Sequence, residues 1–143
     1  MKIFKFFLLL FFVLIAQHGF SQKKSAKQLA REEYKIDTLI TQEERWNRQV
    51  WFNDQVEKMN MNDNLRDDYN SIIGYHYYKV SRLNDLDQNL SLPEMKEKFD
   101  DEIKKLNTEA KGLLNEEQYQ IHLESVETFV HSVYRKMDWT EQN

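Results

Sequence analysis

The chain has 143 residues, of which one is proline, three are glycine and none is cysteine, and its formal net charge is −4. This length allows a single hydrophobic core, and so few turn-forming residues disfavour a β-sandwich or β-barrel, so we expect one small all-α domain. Without cysteine, disulfides, thiolate catalysis and cysteine-ligated metal centres are excluded.

The pattern of residues 1–21 is typical of a secretory signal peptide. Two lysines precede an uninterrupted apolar run over 6–16, and Gly19 and Ser21 supply small side chains before a cleavage site. The run is shorter than the roughly 20 residues that a membrane-spanning helix needs, and an uncleaved anchor is the alternative. We therefore expect a mature single domain over 22–143, in the periplasm or outside the cell, with no transmembrane anchor after cleavage.

The charge of the mature chain argues against nucleic acid as a partner. Removal of the first 21 residues takes away two lysines and no acidic residue, which changes the formal net charge from −4 to −6. An acidic surface repels the phosphate backbone of DNA and RNA. We therefore expect no nucleic acid partner.

Short polar side chains followed by acidic residues mark the predicted helix starts. Ser91 and Asn115 are followed three residues later by glutamate and glutamine, the spacing of a capping box, and Asn62 also precedes an apolar period of three and four. A further box at Thr41 either kinks or restarts the first helix. The predicted helices span 25–59, 64–86, 93–111 and 116–138.

The last three predicted helices each carry one narrow apolar stripe, which requires them to pack against one another. We therefore expect a four-helix antiparallel hairpin or bundle with a long first helix. The stripe of the third helix is spaced like a coiled-coil seam and comprises Leu92, Met95, Phe99, Ile103, Leu106, Ala110 and Leu113.

The first predicted helix differs because it is apolar on nearly all sides. An unbroken helix of this kind leaves apolar surface that a monomer does not cover, which favours a homodimer or a surface for other proteins. The alternative is a break near Thr41 that resets the helical phase and places both faces in one core. The candidate contact surface consists of Trp46, Trp51, Phe52, Val56 and Met59.

Two predicted helix starts, 53 residues apart, share a short pattern. Met61–Arg66 and Leu114–Tyr119 each begin with an apolar residue, a capping asparagine and an acidic residue. Leu114–Gln118 resembles the Leu-Thr-x-x-Gln motif of the Spy/CpxP-like family of small periplasmic proteins, with asparagine in place of threonine. Ile40–Glu44 resembles the motif about as closely as the copy that begins at Met61. As architecture, the resemblance covers roughly 40–138.

The resemblance implies a thin, curved, helical homodimer that binds unfolded proteins without ATP, or a relative that senses metal or envelope stress. A surface of aromatic and apolar side chains set among charges, as on the first predicted helix, suits weak binding of such clients. We therefore expect an exported, ATP-independent binding protein of the periplasmic chaperone or envelope-stress type, without a cofactor. A structural subunit of an envelope complex is an alternative.

Two histidines suggest a second alternative, a metal-binding sensor or buffer. His76 and His122 lie on the apolar stripes of the second and fourth predicted helices, so both point inward and a shared metal is one interpretation. The other is that each is a core histidine bonded to a tyrosine or water. No enzyme is predicted, because the sequence has neither a Gly-x-Ser-x-Gly turn nor a glycine-rich phosphate loop.

Overall fold

The computed structural model describes residues 25–27, 29 and 39–139. The chain forms two units, Met1–Glu33 and Tyr34–Asn143. In the first unit the described residues are 25–27 and 29, of which 26, 27 and 29 are helical. The predicted signal peptide lies outside the described residues. The four helices discussed below belong to the second unit.

The described part of the second unit contains helices and no strand, which confirms the predicted all-α class. A short 3-10 helix over Leu86–Gln88 interrupts the connection between the second and third of these helices. Their bounds are Gln42–Lys58 for α1, Asp63–Ser81 for α2, Leu92–Leu113 for α3 and Glu116–Met137 for α4.

Side-chain caps fix the start of every one of these four helices, as the sequence predicts. The Thr41 hydroxyl accepts from the backbone N–H of Glu44 at 3.2 Å, and the Glu44 carboxylate accepts from the Thr41 N–H at 2.7 Å. Ser91 and Asn115 form the same reciprocal box, and Asn62 caps α2 through its side-chain oxygen. Each cap satisfies N–H groups that the first helical turn leaves unpaired.

The prediction of a continuous first helix over 25–59 is wrong. Leu39 and Ile40 form a bend, and Thr41 is extended, with φ −69° and ψ 164°, so α1 begins at Gln42. The capping box explains the break, because an extended Thr41 that caps a new helix does not continue a preceding one. The alternative from the sequence is confirmed in part. The structure contains a break at Thr41, but it does not place both apolar faces in one core, because Trp46 and Val50 are exposed.

The helices pack as an antiparallel ring of four. The connections between α1 and α2 and between α3 and α4 are short, which makes each pair antiparallel. Between α4 and α1, residue numbers rise on one helix as they fall on the other. The contacts that show this are Arg48 with Ser132 at 3.0 Å, Lys136 with Glu44 at 2.7 Å and Gln118 with the Met59 carbonyl at 3.0 Å.

Two clusters of buried apolar side chains form the core, one toward each end of the bundle. The first contains Phe52, Val56, Met59, Met61, Tyr69, Ile73, Leu106, Ala110, Leu114 and Val126. The second contains Leu39, Ile40, Val80, Met95, Phe99, Phe129, Val133 and Tyr134. The seam predicted for the third helix contributes side chains to both clusters. Leu92, the first residue of this seam, is exposed instead.

Replacement of Thr41 with alanine tests the cap that starts α1. We expect Thr41→Ala to lower the free energy of unfolding by about 1 kcal/mol, because it removes the hydrogen bond that the threonine hydroxyl accepts and weakens the box. Urea unfolding followed by circular dichroism measures the change. Thr128→Ala is the matched control, since this exposed threonine on α4 bonds only its own helix backbone. Equal stability of Thr41→Ala and the control would contradict the role of the cap.

Candidate functional site

The candidate contact surface predicted on the first helix is split by the structure. Phe52, Val56 and Met59 are buried in the first core cluster, with exposed fractions of 8%, 4% and 3%, so their assignment to a contact surface is corrected. Trp46 is 72% exposed. At about 100° per residue, Trp46 lies about 120° around α1 from Phe52. This angle places Trp46 and Phe52 on different sides of α1.

The buried side of α1 is tied to two other helices. The ring of Phe52 stacks on Tyr69 of α2, with centroids 6.0 Å apart, and meets Tyr77 edge-on at 6.3 Å. The Arg48 guanidinium lies 4.6 Å from the ring centroid of Phe129 on α4. Trp51 is half-buried and packs against the first core cluster. The contacts of Phe52 and Arg48 hold the helix in place, whereas the assignment of half-buried Trp51 to a contact surface stays a prediction.

Trp46 and Val50 form the exposed apolar part of α1. Val50 is 52% exposed and lies one turn after Trp46, about 40° around the helix, so the two side chains share a face. Glu43, Asp54 and Glu57 are exposed on the same side of the helix. We call these five residues the Trp46–Val50 face. It presents two apolar side chains among three carboxylates.

The two candidate metal-binding histidines have separate partners. His122 of α4 contacts Tyr69 and Asn107, whereas His76 of α2 contacts Glu102 and Glu109 of α3. Within the residues that the structure describes, no group of three or more histidine, cysteine, aspartate or glutamate side chains is placed to hold a metal ion. Each ring is therefore considered in its own hydrogen-bond network.

His122 is a fully buried imidazole with both ring nitrogens bonded. Its Nε2 lies 3.0 Å from Oδ1 of Asn107, an acceptor, so Nε2 carries the proton and donates. Its Nδ1 then accepts from the Tyr69 hydroxyl at 2.9 Å. Burial lowers the pKa of His122 from 6.5 to about 4, and burial also raises the pKa of Tyr69. The network joins α2, α3 and α4 through a neutral ring.

His76 lies between two carboxylates of α3. Its Nδ1 is 2.7 Å from Oε1 of Glu102, and Lys79 Nζ contacts the same oxygen at 2.7 Å. Its Nε2 is 3.3 Å from Oε2 of Glu109 but makes no aligned hydrogen bond with any described residue. Burial favours the protonated form of Glu102, yet hydrogen bonds from Lys79 and His76 outweigh it and lower the pKa of Glu102.

Glu102 is a buried residue that the sequence analysis does not identify. A signal for its burial was present. Met95, Phe99, Glu102 and Leu106 are spaced four, three and four residues apart, so Glu102 occupies a seam position of α3. A charged residue at such a position requires a buried partner, which His76 supplies.

Comparison with known proteins adds no family assignment. No protein-family model, no curated protein and no solved structure matches the chain. The resemblance to the Spy/CpxP-like family therefore stays a prediction. Among the described residues, every helix is too short or too polar to cross a membrane.

The buried imidazole of His122 predicts a pH dependence of stability. Below pH 6.5 the unfolded chain protonates this histidine, whereas the folded protein, with a pKa of about 4, does not, so stability falls as the pH falls between these values. The full loss is about 3 kcal/mol. Urea unfolding at pH 7.5 and pH 4 measures it, and Tyr69, Asn107 and Tyr119 are the groups that face the ring.

The control for this prediction is His122→Gln, which keeps a neutral polar side chain at the position. Carboxylates titrate in both proteins, so the difference between the two pH profiles isolates the histidine. We expect the variant to lose about 3 kcal/mol less than the wild type over this range. Identical pH profiles would contradict a neutral buried His122.

His76 and His131 form a matched pair for testing the buried His76–Glu102 hydrogen bond, since each histidine lies near a glutamate. The His131–Glu127 contact is 3.9 Å long and exposed on both sides. We expect His76→Ala to cost about 3 kcal/mol, because it leaves a cavity and removes a partner of buried Glu102. His131→Ala should change stability by no more than about 0.5 kcal/mol. Similar losses in thermal unfolding would contradict the assignment.

Proposed function

We propose that the protein is an exported, ATP-independent binding protein of the periplasmic chaperone or envelope-stress type. It contacts other proteins through the Trp46–Val50 face. Export rests on the signal-peptide pattern of residues 1–21. The contact rests on the exposure of Trp46 and Val50 on α1.

The single observation that carries the proposal is the exposure of Trp46. A tryptophan side chain offers one of the largest apolar surfaces of any residue, and 72% of Trp46 faces water. Val50 extends this surface along the helix by one turn. A patch of two side chains is small, so its contacts are weak and quickly reversed, which suits a protein that must release its client.

The charges around the face define the preferred client. Glu43, Asp54 and Glu57 surround the two apolar side chains, although Glu57 is already bonded to Arg66 at 2.8 Å. The formal charge of −6 after removal of residues 1–21 acts in the same direction. Segments in which basic residues flank apolar ones are therefore expected to bind best.

The predicted homodimer uses the same face in this proposal. Phe52, Val56 and Met59 are buried in the core of one chain. Trp46 and Val50 are therefore the exposed apolar side chains of α1 that can contact a second copy. Solution mass by sedimentation measures this state. The metal-sensor and structural-subunit alternatives stay predictions, and no contact described above favours either one.

Suppression of client aggregation tests the proposed function. Reductant-induced aggregation of insulin is a suitable assay, because this chain has no cysteine for the reductant to act on. We expect the wild type to suppress light scattering at near-stoichiometric ratio. Trp46→Ser/Val50→Ser should require about tenfold more protein for equal suppression, since each exposed apolar side chain contributes on the order of 1 kcal/mol or more.

Leu86→Ser/Leu92→Ser is the matched control, because these two leucines are 62% and 61% exposed outside α1. We expect this variant to protect insulin as well as the wild type does. Equal protection by the Trp46→Ser/Val50→Ser variant would exclude the face as the contact surface. No protection by the wild type would exclude the activity.

A further inference from the structure

A groove of about 510 Å³ lies between α3 and α4, away from the residues of the Trp46–Val50 face. This volume is within the range of small-ligand sites, which is about 300 to 1,000 Å³. Three of its lining side chains, Ile103, Tyr119 and Val130, are partly buried and pack against the core clusters. They give the groove an apolar floor that is part of the folded bundle.

The aromatic part of this floor is held in a fixed orientation. The Tyr119 ring stacks on the buried His122 ring, with centroids 5.7 Å apart and an angle of 19° between the planes. Asn107 also lines the groove and binds Nε2 of the same histidine. The groove is therefore built on the buried network of His122, which does not need to rearrange when a ligand enters.

The charged groups that remain available in the groove are the ammonium donors of two lysines. Lys104 forms no side-chain hydrogen bond or ion pair with the described residues, and the Lys111 ammonium lies over the Tyr119 ring at 5.7 Å. Oδ1 of Asn107 is occupied by His122, which leaves its amino group for a ligand. Lysine, asparagine and lysine at positions 104, 107 and 111 share one face of α3.

The carboxylate of Asp100, which also lines the groove, is already occupied. One oxygen accepts from the Tyr134 hydroxyl, and the other accepts from Lys96 at 2.8 Å. The Thr108 hydroxyl donates to the Lys104 carbonyl at 2.8 Å. An incoming ligand therefore meets two ammonium groups and one amide amino group without a competing unpaired carboxylate.

We propose that this groove binds a small carboxylate with an apolar chain, of the size of a medium-chain fatty acid. The chain lies on Ile103, Val130 and the Tyr119 ring. The carboxylate accepts hydrogen bonds from Lys104, Asn107 and Lys111, which are all donors and therefore select an anion. The site is distinct from the proposed contact face on α1, so either proposal can fail without the other.

Titration calorimetry with decanoate, decylamine and decanol tests the chemistry of the site. We expect decanoate to bind the full-length protein at least about tenfold more tightly than decylamine, because the two ligands differ in the sign of the head group. Decanol, which has the same chain and no charge, should bind more weakly than decanoate. Absence of binding by decanoate at millimolar concentration would overturn the proposal, and so would equal binding of decylamine.

Gly112 provides a variant that blocks the groove without disturbing the core. A Cβ atom at this position meets no atom within 4 Å, and the same holds for Gly74, which lies on α2 away from the groove. A side chain other than glycine also favours a helix, so both Gly112→Leu and Gly74→Leu should fold. We expect only Gly112→Leu to weaken decanoate binding, by about tenfold. Equal affinity in both variants would overturn the location.

A charge change tests the donors separately from the shape. We expect Lys104→Glu/Lys111→Glu to weaken decanoate binding by at least about tenfold and to leave decanol binding nearly unchanged. Lys58→Glu/Lys98→Glu changes the net charge equally at two exposed lysines outside the groove and is the control. A similar loss of decanoate affinity in the control would show long-range attraction only and would contradict the site.

Discussion

The capping box at Thr41 is the constraint on which both the bundle and its exposed face depend. α1 begins at Gln42 after this box, with Phe52, Val56 and Met59 in the first core cluster and Trp46 on another side of the helix, in water. A helix that continued through Thr41 would exclude the bend at Leu39 and Ile40. The bend also places Leu39 and Ile40 in the second core cluster. The two hydrogen bonds of the box therefore fix the residue at which the bend ends and α1 begins.

Buried polar contacts set how the other helices align. The Tyr69–His122 contact joins two helices that run parallel across the centre of the bundle. These residues are 53 positions apart, and so are the capping asparagines Asn62 and Asn115. The repeated start pattern thus corresponds to a constant offset between α2 and α4. His76 with Glu102 fixes α2 against α3 in a similar way, since apolar packing alone tolerates a shift that a buried, directional hydrogen bond does not.

Local signals predicted the helix starts well, because a cap acts within four residues of its own position. Thr41, Ser91 and Asn115 were all identified from their caps. The spacing of apolar residues likewise predicted most of the seam of the third helix. The buried side of α1 was not predictable by the same means. Its two apolar faces look alike in sequence, and only the position of the other helices decides which one is covered. The groove between α3 and α4 likewise joins side chains that no local spacing connects.

We propose that exposed Trp46 contacts other proteins, whereas Trp51 packs against the first core cluster and the Trp139 ring lies against Phe99 and Tyr134. Fluorine NMR of protein labelled with 5-fluorotryptophan tests it, since the chain has three tryptophans and each resonance is assigned by substitution with phenylalanine. We expect the Trp46 signal to show the largest solvent isotope shift and to be the one signal that broadens when reduced insulin is added. A Trp46 signal insensitive to both solvent and client would contradict the account.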